Sequence, residues 1–316
     1  MQQDYEYILK VYEEGSISKA AEKLFLTQPA LSIAIQRIES SVGMPLFDRT
    51  RRPLQPTQAG KIYIDMIKQM QELEFDLKRQ MQDIRDLNTG DLKIGGSHYL
   101  NAYILSPVLT AFSQKYPGIR LELVEYGSDQ LSAMLLEREL DLTFSCNTAF
   151  MDNLEKYPAF YDHVLLAVPA EHPVNKKIAD ARLSSDDILH GKHLCADCPA
   201  VSLSHFNEAE FILLTPGNNL YDRCTQMFQE ADFTPRIKLM LAQLATAYHL
   251  AASGYAATFI SDRLIHTNTD RLAFYNIQSS LTKRLFYILL PNRNYTTHAT
   301  KEFIQFFLSH HQFTTF

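Results

Sequence analysis

Several features that mark other classes of protein are absent from this sequence of 316 residues. It contains no tryptophan, and no apolar stretch approaches the roughly 18 residues that a transmembrane helix requires. The opening segment MQQDYEYILK is polar and charged, unlike the apolar core of a secretory signal peptide. We therefore expect a protein of the cytoplasm, large enough for about two domains at roughly 150 residues each.

Motifs that would indicate catalysis are also missing. The sequence has no G-x-S-x-G nucleophile elbow, no phosphate-binding P-loop, no H-E-x-x-H zinc motif and no G-x-G-x-x-G between a strand and a helix. Its histidines are scattered. The sequence therefore predicts a protein that is not an enzyme and has no cofactor, and none of these motifs assigns metal ligands.

Cysteines are few, and one pair of them is close in sequence. Cys195 and Cys198 form a C-x-x-C pair, whereas Cys146 and Cys224 are isolated. Three histidines lie near the pair: His190, His193 and His205. A structural zinc site commonly uses two such pairs, and a thiol switch requires an accessible sulfur with a lowered pKa. Structural thiols are favoured, and a redox sensor or a metal site stays open.

The net charge of -6 argues at first against a nucleic-acid partner. Between Ser16 and Lys61, however, there are seven basic side chains and only three acidic ones. Binding to nucleic acid depends on the charge of the local patch and not on the total. This segment is therefore a candidate DNA-binding unit.

Two short amphipathic helices are predicted on either side of a polar turn. Ser16 or Ser18 can cap the first, and Thr27 can cap the second, with Pro29 in its first turn and Gly43 at its end. The apolar faces are Ile17, Ala20, Ala21 and Leu24, then Leu31, Ile35, Ile38 and Val42. Arginines on a proline-bounded ribbon follow, which suits a wing along DNA phosphates. The pattern predicts a helix-turn-helix with a wing.

The order of motifs here resembles the winged helix-turn-helix of LysR-type transcriptional regulators. The matching runs are S-x-S-x-A-A-E-x-L-x-x-T-Q-P-A-L-S from Ser16, I-E-S-S-V-G-M-P-L-F-D-R-T-R-R from Ile38, and T-Q-A-G from Thr57. The resemblance implies a sequence-specific DNA-binding regulator that responds to a small-molecule effector. Double-stranded DNA and RNA polymerase would be its macromolecular partners.

The resemblance also implies which residues meet DNA. Thr27, Gln28, Pro29 and Ser32 would face the major groove, and the wing arginines would meet the backbone. The complete set of DNA-binding candidates is Ser16, Ser18, Lys19, Thr27, Gln28, Pro29, Ser32, Arg37, Arg49, Arg51 and Arg52. Ile33 and Ala34 replace residues that are often polar in the family, so we expect more readout of DNA shape.

A long helix is predicted after Gly60, because the next proline is far downstream and helix formers dominate. Its apolar residues step by three and four positions, close to a heptad seam. They are Ile62, Met66, Met70, Leu73, Leu77, Met81 and Ile84. The stripe can pack on its own domain or on a second subunit, and the resemblance favours a homodimer or homotetramer that pairs two recognition helices.

The rest of the chain alternates strands and helices, which predicts a mostly parallel sheet with helices on both faces. The predicted helices include Tyr103 to Tyr116 and about Ser128 to Glu139. Two strongly apolar strands, His163 to Pro169 and Leu285 to Leu290, are predicted to cross between two halves of this region. The predicted fold class is α/β overall, with an all-α winged helix-turn-helix at residues 1–60, a linker helix at 61–88 and an effector domain at 89–316. By resemblance to LysR effector domains, which are similar to periplasmic solute-binding proteins, two lobes would enclose a cleft. Lobe I would take about 89–163 and 292–316, and lobe II about 170–285.

Ligands of such sheets bind at the carboxyl ends of strands, near helix amino termini. This rule gives the effector-binding candidates Ser97, His98, Tyr99, Ser128, Cys146, Asn147, Asn218, Asn219 and Gln243. Free amides at helix ends suit an anionic metabolite. Two other functions stay open: a redox regulator that uses Cys195 and Cys198, and a solute-binding protein without a DNA function.

Overall fold

The chain divides into two compact units. The computed structural model describes residues 2–85, 89–148, 151–152, 154–292 and 295–310. The first unit covers Met1–Met81 and the second covers Gln82–Phe316. The predicted end of the linker helix at residues 86–88 lies outside the described residues.

The first unit is a small helical domain with a two-stranded wing. Its elements are α1 (Gln2–Glu14), α2 (Ile17–Lys23), α3 (Gln28–Val42), β1 (Phe47–Asp48), β2 (Gln55–Pro56) and α4 (Gln58–Arg85). The Ser16 hydroxyl accepts a hydrogen bond from the Lys19 amide, and Thr27 caps α3 through the Ala30 amide, both at 3.4 Å. Gly43 ends α3 with a φ of 77°. The predicted caps and stop of the helix-turn-helix are confirmed.

The wing is attached to the end of α3 and to the start of α4. Glu39 accepts hydrogen bonds from the Leu46 amide at 2.8 Å and the Phe47 amide at 3.3 Å. The Thr57 hydroxyl donates to the Pro45 carbonyl at 2.7 Å and accepts from the Gly60 amide at 3.0 Å. A Cβ at Gly60 would lie 1.9 Å from the Leu46 carbonyl oxygen, so only glycine fits there. These bonds fix the wing relative to the recognition helix.

Phe25, in the turn between α2 and α3, combines a φ of 56° with a side chain that is 97% exposed. A positive φ costs a residue with a Cβ about 1–2 kcal/mol, and asparagine tolerates it far better than phenylalanine. Since the exposed ring packs on little, we expect Phe25→Asn to stabilise the first unit by about 1 kcal/mol. Thermal unfolding of the full-length chain measures this gain. Phe25→Ala keeps the backbone cost and serves as the control, and an Asn variant no more stable than the Ala variant would contradict the explanation.

The second unit is an α/β domain around one continuous sheet. Its strands are β3 (Gly90–Gly96), β4 (Ile119–Glu125), β5 (Leu142–Ser145), β6 (Leu154–Pro169), β7 (Ala200–Val201), β8 (Glu210–Leu214), β9 (Arg236–Leu241), β10 (Ala257–Ser261), β11 (Leu272–Ile277) and β12 (Lys283–Pro291). Its helices are α5 (His98–Leu100), α6 (Ser106–Lys115), α7 (Ser128–Leu136), α8 (Val174–Lys177), α9 (Ser185–Leu189), α10 (Asn219–Glu230), α11 (Leu244–Ala252) and α12 (His298–His310). A π-helical turn, Asn101–Leu105, joins α5 to α6.

The order of strands divides this unit into two lobes. The main path through the sheet is β4-β3-β5-β12-β6-β10-β8-β9. Parallel pairs form lobe I (β3, β4 and β5) and lobe II (β8, β9 and β10). The antiparallel strands β6 and β12 lie between them and pair with both lobes or with each other. The predicted pair of crossing strands is therefore confirmed, and so is the α/β fold class.

Three predicted element boundaries are wrong. The helix predicted from Tyr103 begins at His98, because the π-helical turn interrupts the regular apolar spacing. The helix predicted to end at Glu139 ends at Leu136, since Arg138 takes a φ of 62°. The strand predicted from His163 begins nine residues earlier, at Leu154, where charged residues hide the apolar pattern. Pro158 is tolerated in this strand because the pairing with β12 is irregular there.

Helix length and hydropathy also bear on the membrane question. Among the described residues, no helix is both long enough and apolar enough to cross a bilayer.

Candidate DNA interface and effector site

The amino-terminal end of α3 is exposed in the first unit. Thr27, Gln28 and Pro29 are exposed, and Ser32 is half-buried beside them. The opposite face of the helix carries Leu31, Ile35 and Ile38 into the core. The helix therefore presents its polar first turns outward, as a recognition helix does when it enters the major groove.

The cationic side chains near this surface differ in whether they form ion pairs with acidic side chains. Arg37 is paired with Asp4 at 2.5 Å, Arg49 with Glu39 at 2.9 Å, and Arg51 with Asp48 at 3.4 Å. Lys19 and Arg52 are exposed and form no ion pair within the described part of the chain. The sequence did not indicate this pairing, and Glu39, which holds both the wing backbone and Arg49, was not among the predicted residues.

The seven stripe residues of α4, from Ile62 to Ile84, are all exposed. Their exposed fractions run from 36% at Met66 to 77% at Ile84. The core of the first unit instead takes Ile64 and Ile67 from the same helix. A different face of α4 packs on the core of the first unit. Packing within this unit therefore does not account for the apolar stripe.

In the second unit, a cavity of about 110 Å³ lies between the two lobes. Four helical segments begin at its wall, with the N-cap residues Ser97, Gly127, Asn218 and Gln243. The first of these segments continues through the π-helical turn to Lys115. A helix start carries the positive end of the helix dipole and backbone amides without partners in the helix, so four helix starts at one cavity favour an anion.

A buried ion pair forms part of the same wall. Arg284 on β12 donates to Asp162 on β6 through Nε at 2.8 Å, and both side chains are almost completely buried. The Tyr99 hydroxyl donates to the other carboxylate oxygen at 2.8 Å, and Ser261 donates to it at 2.5 Å. Burial opposes the charge of Arg284, but Asp162 raises the pKa of the guanidinium. The pair fixes the crossing strands to each other beside the cavity.

A hydrogen bond crosses the cleft between the lobes. The Cys146 thiol, at the end of β5, donates to Asn219 Oδ1 at 3.0 Å, at the start of α10. Burial raises the pKa of Cys146, which keeps the thiol protonated and able to donate. This contact joins lobe I to lobe II at the cavity.

Most of the predicted effector residues line this one cavity. Those that do are Ser97, His98, Tyr99, Ser128, Cys146, Asn218, Asn219 and Gln243. Asn147 is not among the lining residues, and its amide donates to Ser145 Oγ. Sequence reasoning missed Arg284 and its partner Asp162. The available signal was that each charge directly precedes an apolar strand predicted to cross between the lobes.

The C-x-x-C pair is in lobe II, apart from the cavity. Cys195 is exposed, and Cys198 is half-buried, with its Sγ accepting a hydrogen bond from the Asn276 side-chain Nδ2 at 3.3 Å. Burial raises the pKa of Cys198. This shift is opposite to the lowered pKa that a reactive thiolate requires.

A winged helix-turn-helix in one unit and a polar cleft between two α/β lobes in the other define a DNA-binding regulator with an effector domain. Comparison with known proteins agrees with this class. Residues 2–61 match the model of the bacterial regulatory helix-turn-helix protein of the lysR family, and residues 85–312 match the LysR substrate binding domain. The chain belongs to the LysR family of transcriptional regulators.

Individual relatives are similar to this chain at low sequence identity. The uncharacterized HTH-type transcriptional regulator YcgK of Bacillus subtilis is 27% identical over 293 residues, covering 91% of this chain and 88% of YcgK. The structure of full-length CbnR with its target DNA has a TM-score of 0.57 at 18% identity, covering 97% of this chain and 98% of CbnR. The effector binding domain of QuiR, in complex with shikimate, has a TM-score of 0.55 at 15% identity, covering 70% of this chain and 97% of that domain. These structures are similar in fold.

Proposed function

We propose that this regulator contacts DNA through the eleven candidates from Ser16 to Arg52, with the start of α3 in the major groove and the wing along the backbone. The exposure of Thr27, Gln28 and Pro29 supports this placement. Lys19 and Arg52 add charge that no described ion pair neutralises, which favours contact with phosphates. The relative CbnR was solved with its target DNA.

Gln28→Ala tests the base contact. The Gln28 side chain is exposed and forms no hydrogen bond within the described chain, so its removal leaves the fold intact. If the amide pairs with a base, binding to the native operator weakens by about 1–3 kcal/mol, or roughly 5-fold to 150-fold. Fluorescence anisotropy with native and shuffled duplexes measures the change. Gln36→Ala, on the exposed part of the same helix, is the matched control.

Arg52→Ala separates phosphate contact from base contact. We expect weaker binding to native and shuffled duplexes by a similar factor, with a shallower dependence on salt, because one phosphate contact is lost. If Arg52→Ala instead weakened only the native duplex, the assignment of the wing to the backbone would be wrong.

We further propose that the effector is a small organic anion, such as a short carboxylate, bound in the cavity between the lobes. The convergence of four helix starts beside Arg284 is the observation that carries this proposal. The cavity volume of about 110 Å³ is smaller than the roughly 150 Å³ cavity that binds benzene, which favours a compact ligand. The relative QuiR was solved with shikimate.

Ser97→Ala tests the cavity as the binding site. The Ser97 side chain forms no cap hydrogen bond to its helix, so the hydroxyl is available to a ligand. We expect the variant to keep its melting temperature and to bind the anion at least about tenfold more weakly, since a hydrogen bond to a charged group contributes about 1.5–3 kcal/mol. Calorimetry with a panel of mono- and dicarboxylates, phosphate and matched amides measures the affinity. Ser253→Ala, at an exposed serine away from this cavity, is the control.

The domain organisation that we propose keeps the boundaries predicted from sequence: a DNA-binding domain at 1–60, a linker helix at 61–88 and an effector domain at 89–316. The exposed stripe of α4 supports a homodimer or homotetramer, and the two-lobed fold supports regulation rather than catalysis. We place the protein in the cytoplasm, where DNA and RNA polymerase are its partners.

A further inference from the structure

A cluster of two histidines and one aspartate lies in the second unit, outside the lining of the effector cavity. Asp262 Oδ2 is 3.1 Å from His193 Nε2 and 3.5 Å from His163 Nδ1. The three candidate ligand atoms all lie within 4.8 Å of one another. His163 is on β6, Asp262 directly follows β10, and His193 is in lobe II. The fold thus brings together three metal-binding side chains from distant parts of the chain.

We propose that His163, His193 and Asp262 bind a divalent transition-metal ion, of which Zn²⁺ is the best match. Two imidazoles and a carboxylate are typical zinc ligands. A tetrahedral zinc ion, 2.0–2.1 Å from its ligands, separates neighbouring ligand atoms by about 3.3–3.4 Å. The two distances to Asp262 lie on either side of this value, and the two imidazole nitrogen atoms lie within 4.8 Å of each other.

The carboxylate is held in the orientation that such a site requires. Asp262 Oδ1 accepts hydrogen bonds from the His163 amide at 3.0 Å and the Arg263 amide at 2.9 Å. These bonds leave Oδ2 directed at the two imidazole rings. Hydrogen bonds from backbone amides to a metal-binding side chain orient that side chain and strengthen metal binding.

Charge also favours a cation at this position. The Asp262 side chain is 9% exposed, and no lysine or arginine within the described residues forms an ion pair with it. A buried carboxylate is strongly stabilised by a close positive charge. A divalent ion beside Oδ2 would supply that charge. His163, at 25% side-chain exposure, leaves a route by which water reaches a fourth coordination position.

The proposed metal site lies beside β6, one of the two strands that cross between the lobes. His163 follows Asp162 on β6, and neighbouring strand residues point to opposite faces of a sheet. Asp162 carries the Arg284 ion pair at the cavity wall, so the metal site lies on the other face of the same strand. A bound ion would fasten lobe II to the strand that connects the lobes.

Zinc titration of the full-length chain tests the proposal. After treatment with a chelator, the protein is dialysed against ZnCl₂ and the bound metal is measured, with Co²⁺ absorption as a second readout of tetrahedral coordination. We expect one ion per chain, and at least tenfold weaker binding in His163→Gln, whose partly exposed side chain can change without opening the core. His193→Ala should lose the ion as well.

Two controls distinguish this site from other zinc ligands. His190→Ala removes an exposed histidine near His193 and should leave the affinity unchanged. A Cys195→Ser, Cys198→Ser double variant should also retain the ion. Absence of stoichiometric zinc, equal affinity in His163→Gln and the unaltered chain, or loss of the ion in the cysteine variant would each overturn the proposal.

Discussion

Arg284→Met is expected to destabilise the effector domain by about 3–5 kcal/mol, because it leaves Asp162 buried without its cation. Methionine fills much of the space of the arginine stem but cannot donate to the carboxylate. In a domain of this size, the loss corresponds to a fall in melting temperature of roughly 6–20 °C. Differential scanning calorimetry of the full-length chain measures it, with the transition of the first unit as an internal reference.

The matched control removes both charges of the pair. In the double variant Asp162→Asn, Arg284→Met, the asparagine oxygen can still accept from Tyr99 and Ser261, and no uncompensated charge remains. We therefore expect much of the lost stability to return. A double variant as unstable as Arg284→Met would show that packing of the arginine, including its contact with Phe286, matters more than the charge.

Leu73→Glu is expected to dissociate the proposed dimer. Leu73 is 56% exposed in the middle of the α4 stripe, so the substitution costs little within one chain. A twofold interface presents each residue twice, and burial of a leucine contributes about 1.5–3 kcal/mol. The loss of two such contributions weakens dimerisation by roughly a hundredfold or more. Sedimentation analysis measures the dissociation constant.

A control on the same helix separates charge from position. Gln69→Glu adds the same carboxylate at an exposed site outside the apolar stripe, and it should leave the association constant unchanged. If Leu73→Glu remained as strongly associated as Gln69→Glu, α4 would not be the subunit interface. Specific DNA affinity should fall with dissociation, because one recognition helix reads only half of a palindromic site.

Local signals explain why the first unit was predictable in detail. Ser16, Thr27 and Gly43 act through backbone geometry that depends only on their neighbours in sequence, so the helix caps could be assigned directly. The role of Glu39 could not be assigned from sequence, because its partners at the wing depend on how the chain folds back after Gly43. Similarly, the ion pair between Arg37 and Asp4 joins α3 to α1 across the domain.

In the second unit, the sequence indicated the cavity but not its ion pair. The rule for strand ends depends on the order of strands and helices, and it gave eight residues that line one cavity. Asp162 and Arg284 are 122 positions apart, and only the register of β6 with β12 places them in contact. The histidine cluster was hidden for the same reason, because its members are distant in sequence and come together only after folding.

Binding of the purified full-length protein to its own upstream DNA tests the central claim most directly. The assay compares the native duplex with a shuffled duplex of equal composition across a salt series, with and without the carboxylate panel. The account predicts tight, salt-dependent preference for the native duplex, and a change in that affinity with at least one anion. Equal, weak binding to both duplexes would contradict the assignment of sequence-specific recognition to α3 and the wing.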